Sequence, residues 1–345
     1  MNRRLRWLVP GAVAAVVVGG ALAPGASADL PAKTPQEVLV LAQEADVEAF
    51  SGTVEVRTDL GIPTALLAGL DGEPSMGPGA GMDEDRTVRV WRSGDELARV
   101  SAATSMGEQT LIRNGDTLWL YDADEALVRT GEVPDKPEGE AAPVWDTTDP
   151  TEVATRILDA LDPTTDVSAG EPVVVAGREA YRLVLDPQQT GTLVGSVTMA
   201  VDAQTGMALQ VTVTAEGASE PAVDVAFTSI DYAAPSADVF DTSTPPGATV
   251  EPWDAPEAPE GEVPADAPEP QVVGEGWTTV LVMPPYEGDD ADVSADMDMG
   301  LPEGVLQPVP GGQVLTTALV TVMLADDGRV LVGAVTPEVI AAAAA

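Results

Sequence analysis

The chain has 345 residues, with 16 Lys and Arg against 57 Asp and Glu, no His and no Cys, so its formal net charge is −41. Without His or Cys there is no Ser-His-Asp triad, cysteine nucleophile, disulfide framework or usual His/Cys zinc site. So negative a charge repels phosphate backbones and other copies of the chain, so we expect no nucleic-acid partner and a monomer.

The first 28 residues have the pattern of a secretory signal peptide. Three arginines within the first six residues precede an apolar stretch at 8–23, and Ala26-Ser27-Ala28 matches an A-x-A cleavage site. We predict cleavage after Ala28 and export across the cytoplasmic membrane; retention of the segment as an anchor is the alternative. Cleavage would leave 13 basic and 57 acidic residues, a net charge of −44.

The mature chain opens with a helix signal and then changes period. Thr34-Pro35-Gln36-Glu37 combines an N-cap, a proline at the first helical position and a glutamate that can close a capping box. Apolar residues then follow at helical spacing up to Ala49. From Phe50 to Thr58 apolar and polar residues alternate, which predicts a strand with one solvated face.

A series of short strand patterns follows, with Asn114-Gly115 as the strongest hairpin signal. A second capped helix is predicted from Asp149-Pro150-Thr151-Glu152. We expect an α+β domain: a strongly curved antiparallel sheet, or half-barrel, covered by two helices. The predicted strands are 87–92, 96–104, 109–113, 117–121, 126–130, 172–176, 180–185, 195–201, 208–215 and 222–232.

The C-terminal third is different in composition. Residues 242–273 contain eight Pro, seven acids and no base, which predicts an extended, self-repelling linker. Beyond it we predict a strand at 276–283, a strand at 315–324 that forms a hairpin with 329–335, and a short helix after Thr336-Pro337. Three strands are marginal alone, so we expect this extension to dock on the main sheet. The predicted division is a signal peptide at 1–28, a main domain at 29–248, a linker at 249–273 and a small β extension at 274–345.

Several segments resemble the LolA-like superfamily, which includes bacterial lipoprotein carriers and the RseB/MucB regulators of envelope stress. The resemblance is carried by Phe50-Ser51-Gly52-Thr53-Val54-Glu55-Val56, by 177–185, by Val201-Asp202-Ala203-Gln204-Thr205-Gly206 and by Asp238-Val239-Phe240-Asp241. It covers residues 34–248, and the whole layout is similar to a secreted actinobacterial branch. These motifs are turns and strand cores, so they bear on fold and on function only by analogy.

The resemblance implies a concave sheet face that holds acyl chains beneath helices. In this chain the candidate ligand-binding lining consists of apolar strand residues, and the alternative is that they are ordinary core. The family carrier uses an arginine near its pocket, but neither Arg57 nor Arg89 could be matched to that position. The candidate lining is Val54, Val56, Val88, Val90, Leu118, Leu120, Leu183, Leu185, Met199, Val211 and Phe227.

Other kinds of site gain little support from the sequence. Six acids between Glu287 and Asp298 resemble a calcium loop in composition, but glycine and glutamate do not fall together at the required spacing. Acidic pairs for glycoside hydrolysis lack an accompanying aromatic cluster. We therefore expect no catalytic residue, metal or cofactor, and a protein that is not an enzyme.

Two functions remain open. The first is an exported carrier that holds a lipid, a lipidated protein or another apolar ligand. The alternative is an RseB/MucB-like regulator that binds an anti-sigma factor or another membrane envelope protein, a reading that rests on the order of the domains.

Overall fold

The computed structural model describes residues 30–62, 85–104, 107–133, 150–151, 154, 164–253, 270–285 and 305–345. These residues form a 13-stranded main sheet and a six-stranded second sheet. The predicted signal peptide lies outside the described residues. No helix in the described part of the chain is long and apolar enough to cross a membrane.

The first helix, α1 (Pro35–Gln43), begins as the sequence predicts. The Thr34 hydroxyl accepts a hydrogen bond from the backbone N–H of Glu37 at 3.3 Å, and the Thr34 N–H donates to the Glu37 carboxylate at 2.7 Å. This closed capping box satisfies two N–H groups that a helix start otherwise leaves without partners. Val38 is the one fully buried residue of α1, and it packs against the main sheet.

The main sheet is a large curved sheet that is antiparallel at all but one pairing. The order is β13-β6-β5-β4-β3-β2-β1-β12-β11-β10-β9-β7, and β8 pairs with β9. The strands are β1 (Ala49–Thr58), β2 (Arg86–Ser93), β3 (Leu97–Ala103), β4 (Glu108–Asn114), β5 (Thr117–Asp122), β6 (Leu127–Glu132), β7 (Thr165–Ala169), β8 (Val173–Val175), β9 (Arg178–Pro187), β10 (Val194–Asp202), β11 (Ala208–Ala215), β12 (Pro221–Asp231) and β13 (Thr249–Pro252).

The predicted strands are all present, and the structure adds β7 and β13. The sequence of β7, Thr165–Ala169, is short and half polar, so no alternation marks it. Of the second predicted helix, Pro150, Thr151 and Ala154 are described and helical, and Ala154 is buried in the main core. The rest of that helix lies outside the described residues.

The two ends of the predicted linker are strands that pair with the two sheets, a pairing that the sequence did not predict, and residues 254–269 between them lie outside the described residues. Thr249–Pro252 pairs in parallel with β6, and Gln271–Val273 pairs with β15 of the second sheet. The free edge of β6 explains the first pairing, since its backbone groups need partners that composition does not reveal.

The second sheet has six strands where the sequence predicted three. A turn at 317–320 divides the predicted strand 315–324. The Thr317 hydroxyl accepts a hydrogen bond from the Val320 N–H, and this bond closes the turn. The predicted hairpin around Asp326-Asp327-Gly328 and the final helix α2 (Pro337–Ala344) are confirmed. The order is β14-β15-β19-β18-β17-β16, with β14 (Gln271–Val273), β15 (Val280–Met283), β16 (Gln307–Val309), β17 (Gly312–Thr316), β18 (Thr321–Ala325) and β19 (Val330–Gly333).

The two sheets touch, as expected, at the connection between β9 and β10. Thr192 forms a β-bridge with Val335, and Leu193 N–H donates to Ala334 at 2.8 Å. Trp277 adds a side-chain contact, because its indole N–H donates to the Thr165 hydroxyl at 2.8 Å. The second sheet and α2 together form what we call the second unit. Its residue Leu319 is buried within the main core.

Candidate functional site

The strand register places all eleven predicted lining residues on one side of the main sheet, which we call the inner face. Cross-strand partners point to the same side of a sheet. Val54 is opposite both Val88 and Phe227, so β1, β2 and β12 share this face. The other pairs that establish it are Val56 with Val225, Val211 with Val225, Met199 with Val211 and Leu183, Val197 with Leu185, Val90 with Val100, Val100 with Leu111, Leu111 with Leu120, and Arg113 with Leu118.

Ten of the eleven lining residues are buried, and Leu120 is half-buried. Toward β9 and β10 the inner face is covered by Val38 of α1, by Ala154 and by Leu319 from the second unit. A ligand on this part of the face has to displace one of these covers. Whether the face receives a ligand therefore stays a prediction that depends on their movement.

Two phenyl rings of the inner face meet near the start of β1. Phe50 and Phe227 contact edge to face, with centroids 5.9 Å apart and planes at 86°. The Phe227 ring lies over Gly52, where an added Cβ would come within 2.9 Å of it. Gly52 is thus part of the packing of Phe227, because only a residue without a side chain leaves room for the ring.

A cleft of about 300 Å³ adjoins this aromatic pair at the end of the inner face. Its apolar lining includes Phe50 and Met207, which are 3% and 1% exposed. Ala45 and Val47, from the segment that joins α1 to β1, form one wall. Thr151, in the predicted helix that begins near Pro150, forms part of another. Because Phe50 contacts Phe227, a single ring separates the cleft from the predicted lining. The sequence did not single out Met207, since it stands in a turn between two strand patterns.

The rim of this cleft is charged. Asp46, Glu48 and Asp95 contribute three acids and Arg92 one base. Arg92 lies near Asp95, with nitrogen and oxygen 3.4 Å apart, and its Nε donates to the Gly94 carbonyl at 3.4 Å. The remaining negative charge favours a neutral or cationic group at the mouth and opposes an anionic one.

Arg57 and Arg89 lie on the face opposite the lining. Each alternates along its strand with inner-face valines, and each contacts acids on the opposite side: Arg57 lies near Asp224 at 3.7 Å, and Arg89 pairs with Glu108. Neither side chain can therefore reach a ligand on the inner face. The same opposite face carries Ile112, Trp119 and Val128, which pack against Phe240 of a 3-10 turn at Ala237–Phe240.

A buried ionic network fixes the turn between β10 and β11. The Asp202 carboxylate is fully buried and accepts hydrogen bonds from Arg178, from the backbone N–H groups of Gln204 and Thr205, and from the Tyr232 hydroxyl. Burial alone would raise the pKa of Asp202, but these donors outweigh it and lower that pKa. Burial also raises the pKa of Tyr232 to about 12. The network accounts for the Val201–Gly206 motif as a structural turn.

The described residues contain no cluster of three or more acidic side chains that could hold a metal. The acidic segment between Glu287 and Asp298 lies outside them. A second cleft of about 400 Å³ lies beside Arg178, with Leu30, Tyr181 and Gln204 in its lining. Since the Asp202 network already engages Arg178, this cleft offers no uncommitted basic group for a ligand.

Neither a protein-family model nor a curated protein matches the sequence. Among solved structures, the chain is similar to one from the MucA/MucB complex of Pseudomonas aeruginosa, at 15% identity and a TM-score of 0.46, covering 90% of this chain and 96% of that one. It is also similar to a LolA superfamily protein from Nitrosomonas europaea, at 12% identity and a TM-score of 0.26, covering 61% and 98%. An uncharacterised conserved protein from Thermus thermophilus shows 12% identity and a TM-score of 0.36, covering 63% and 98%. The solved structures that this chain is similar to thus include a MucB complex and a LolA superfamily protein, the two kinds of protein that the motifs resemble, whereas the similarity to an actinobacterial branch stays a prediction. All three TM-scores lie below 0.5.

Proposed function

We propose that this protein is an exported, non-catalytic binding protein that holds an apolar ligand, a lipid or the acyl part of a lipidated protein, against the inner face of the main sheet. The observation that carries the proposal is the cleft beside Phe50, because the Phe50 ring at its floor packs directly on Phe227 of the continuous apolar face. Small-molecule sites are usually lined mainly by apolar side chains, and here Phe50 and Met207 supply the apolar part of a cleft whose mouth is charged.

The helix that covers part of the inner face, α1, supports entry of the ligand at the end of the face beside Phe50. α1 has nine residues, of which Val38 is fully buried and Leu39, Leu41 and Ala42 are partly buried against the main core, so few side chains hold it on the sheet. A helix this short is marginal without tertiary contacts. We propose that movement of α1 and of the Ala45–Val47 wall widens the cleft and admits the ligand over Phe50.

The rim charges narrow the ligand class. Three acids and one base at the mouth, on a chain with a net charge of −41, disfavour an anionic headgroup. We therefore propose a ligand whose polar end is neutral, zwitterionic or cationic.

The test is a titration of the mature chain with a fluorescent lysophosphatidylcholine. In Ala45→Trp the indole is added at the cleft wall, and we expect binding to weaken at least tenfold. Val250→Trp places the same ring at a site that is 51% exposed on β13 and is the matched control. Equal binding by both variants and the unmodified chain would contradict entry through this cleft.

A partner-binding function of the MucB kind is the second candidate. MucB has been solved together with MucA. In the present chain, Trp277 and Leu319 couple the main sheet to the second unit. The specific observation in its favour is an aliphatic face of the second sheet that the described residues leave uncovered.

A further inference from the structure

The second sheet has two apolar faces, and α2 packs on only one of them. One, the α2 face, consists of residues that pack around Ile340 of α2, including Val280, Met323 and Leu331, all at most 1% exposed. The register defines the opposite side, which we call the far face, through the pairs Val272 with Leu281, Leu281 with Val332, Met283 with Val330, Val322 with Val332, Leu324 with Val330, and Leu315 with Val322.

The far face is aliphatic across five strands and is open to solvent at one side. Val272 is 67% exposed and Leu281 is 40% exposed, and they are direct cross-strand neighbours. The other members are half-buried, and none belongs to a core cluster of the described residues. Contiguous exposed apolar surface of this kind usually marks an interaction site.

The size of the far face suits a single helix. Five strands at about 4.8 Å spacing and about 3.3 Å per residue give a patch of roughly 20 by 12 Å. An α-helix of about 14 residues has that length and about that width. A stable dimer of two proteins needs about 800 Å² from each partner, which is roughly three times this patch.

The negative charge of the second unit restricts the kind of partner that can bind the far face. The described part of the second unit, residues 270–345, carries the acids Glu275, Asp326, Asp327 and Glu338 and a single base, Arg329. Arg329 is already engaged by the Asp327 carboxylate and the Ala344 carbonyl. A second copy of so acidic a chain is repelled, whereas a segment with Lys or Arg beside its apolar stripe is attracted.

We propose that the far face binds one amphipathic helix of another protein, with an aliphatic stripe flanked by Lys and Arg. The helix covers the far face as α2 covers the opposite side of the same sheet. This inference names the surface for the second function proposed above, and it does not depend on the ligand site of the inner face.

The test uses the mature chain and a labelled 14-residue amphipathic peptide of Leu and Lys, with a Leu and Glu peptide as the comparison. Fluorescence anisotropy in 0.15 M NaCl compares the two peptides while charge attraction persists, and a repeat with the Lys peptide in 0.5 M NaCl screens attraction that does not involve the apolar face. We expect the Lys peptide to bind, the Glu peptide not to bind, and Leu281→Ser to weaken binding about tenfold. The control Val250→Ser removes an aliphatic residue that is 51% exposed, against 40% for Leu281, from β13 of the main sheet and leaves binding within about twofold.

Thermal unfolding checks the folding of each variant, and Val272→Ser, at the more exposed position, repeats the test if Leu281→Ser unfolds. Equal effects of Leu281→Ser and Val250→Ser would overturn the inference. So would a dimer, or binding to phosphatidylcholine vesicles, that Leu281→Ser abolishes, since each assigns the face to another occupant. Loss of peptide binding in Ala45→Trp but not in Leu281→Ser would also overturn it, while leaving a partner-binding function in place.

Discussion

Asp202 carries a charge in a place where charges are rarely found. It is the one acidic side chain that is fully buried among the described residues, and its oxygens accept from Arg178, Tyr232 and two backbone N–H groups. A buried carboxylate persists only when such donors replace the water it has lost. The turn between β10 and β11 is therefore held by a network that is centred on the Asp202 side chain.

Replacement of Asp202 by Asn should lower the free energy of unfolding by about 2–4 kcal/mol, because Arg178 then lacks its counter-charge and an amide N–H replaces one acceptor. The measurement is urea unfolding at pH 7. Asp327→Asn is the matched control, since Asp327 also pairs with an arginine but has a side chain that is 54% exposed. We expect no measurable change in its unfolding midpoint. Equal midpoints for the two variants would contradict the importance of the buried network.

The same residue predicts a pH dependence. The pKa of Asp202 is lower in the folded protein than the value of about 3.9 typical of an unfolded chain. Its contribution to stability is therefore fully present above about pH 4 and is lost as the pH falls through the folded pKa. The stability difference between the unmodified protein and Asp202→Asn should be constant from pH 7 to pH 5 and shrink below pH 4, as followed by urea unfolding. A difference that grows on acidification would contradict the sign.

At the scale of the element, α1 depends on its first turn. Thr34→Ala removes the hydroxyl that accepts from Glu37 N–H, and should destabilise the helix by about 1 kcal/mol. Hydrogen exchange of the α1 amides should quicken accordingly. Thr336→Ala is the control, because Thr336 is the N-cap of α2 without a side-chain cap hydrogen bond. Faster exchange in α2 of that variant than in α1 of Thr34→Ala would contradict the assigned role.

The helices and strands differ in how well they can be predicted from the sequence. The capping box of α1 and the Asn114-Gly115 hairpin depend on neighbouring residues, and both are present as predicted. β13 was missed because its partner β6 lies far earlier in the chain, and β14 because it is a three-residue strand at the end of the proline-rich segment. Thr317 likewise splits one apolar run into two strands through a local hydrogen bond that alternation does not reveal.

At the scale of the whole molecule, self-repulsion is the dominant long-range term, since the chain carries a formal charge of −41. Salt screens it: the Debye length falls from about 10 Å at 0.1 M to about 3 Å at 1 M. We therefore expect the midpoint of thermal unfolding to rise by several degrees between 0.05 and 1 M NaCl, as measured by scanning calorimetry. A midpoint that falls with salt would show that attractive ion pairs outweigh the repulsion.

The shared face of the candidate lining residues was predictable from the sequence, but the access to that face was not, and their role in ligand binding stays a prediction. Alternation along each strand placed the eleven lining residues on one face, because side chains of a strand alternate between faces. The cleft beside Phe50 depends on how α1, the turn at Met207 and Thr151 converge, which no local pattern contains. The far face of the second sheet was also missed, since β14 was assigned to the linker.

Occupancy of the inner face is the central claim, and native mass spectrometry of the mature chain, purified from its own host and followed by organic extraction, tests it most directly. We predict a stoichiometric apolar adduct that is depleted in Ala45→Trp and retained in Val250→Trp. A folded chain that shows only its own mass, and that yields no lipid on extraction, would contradict the claim.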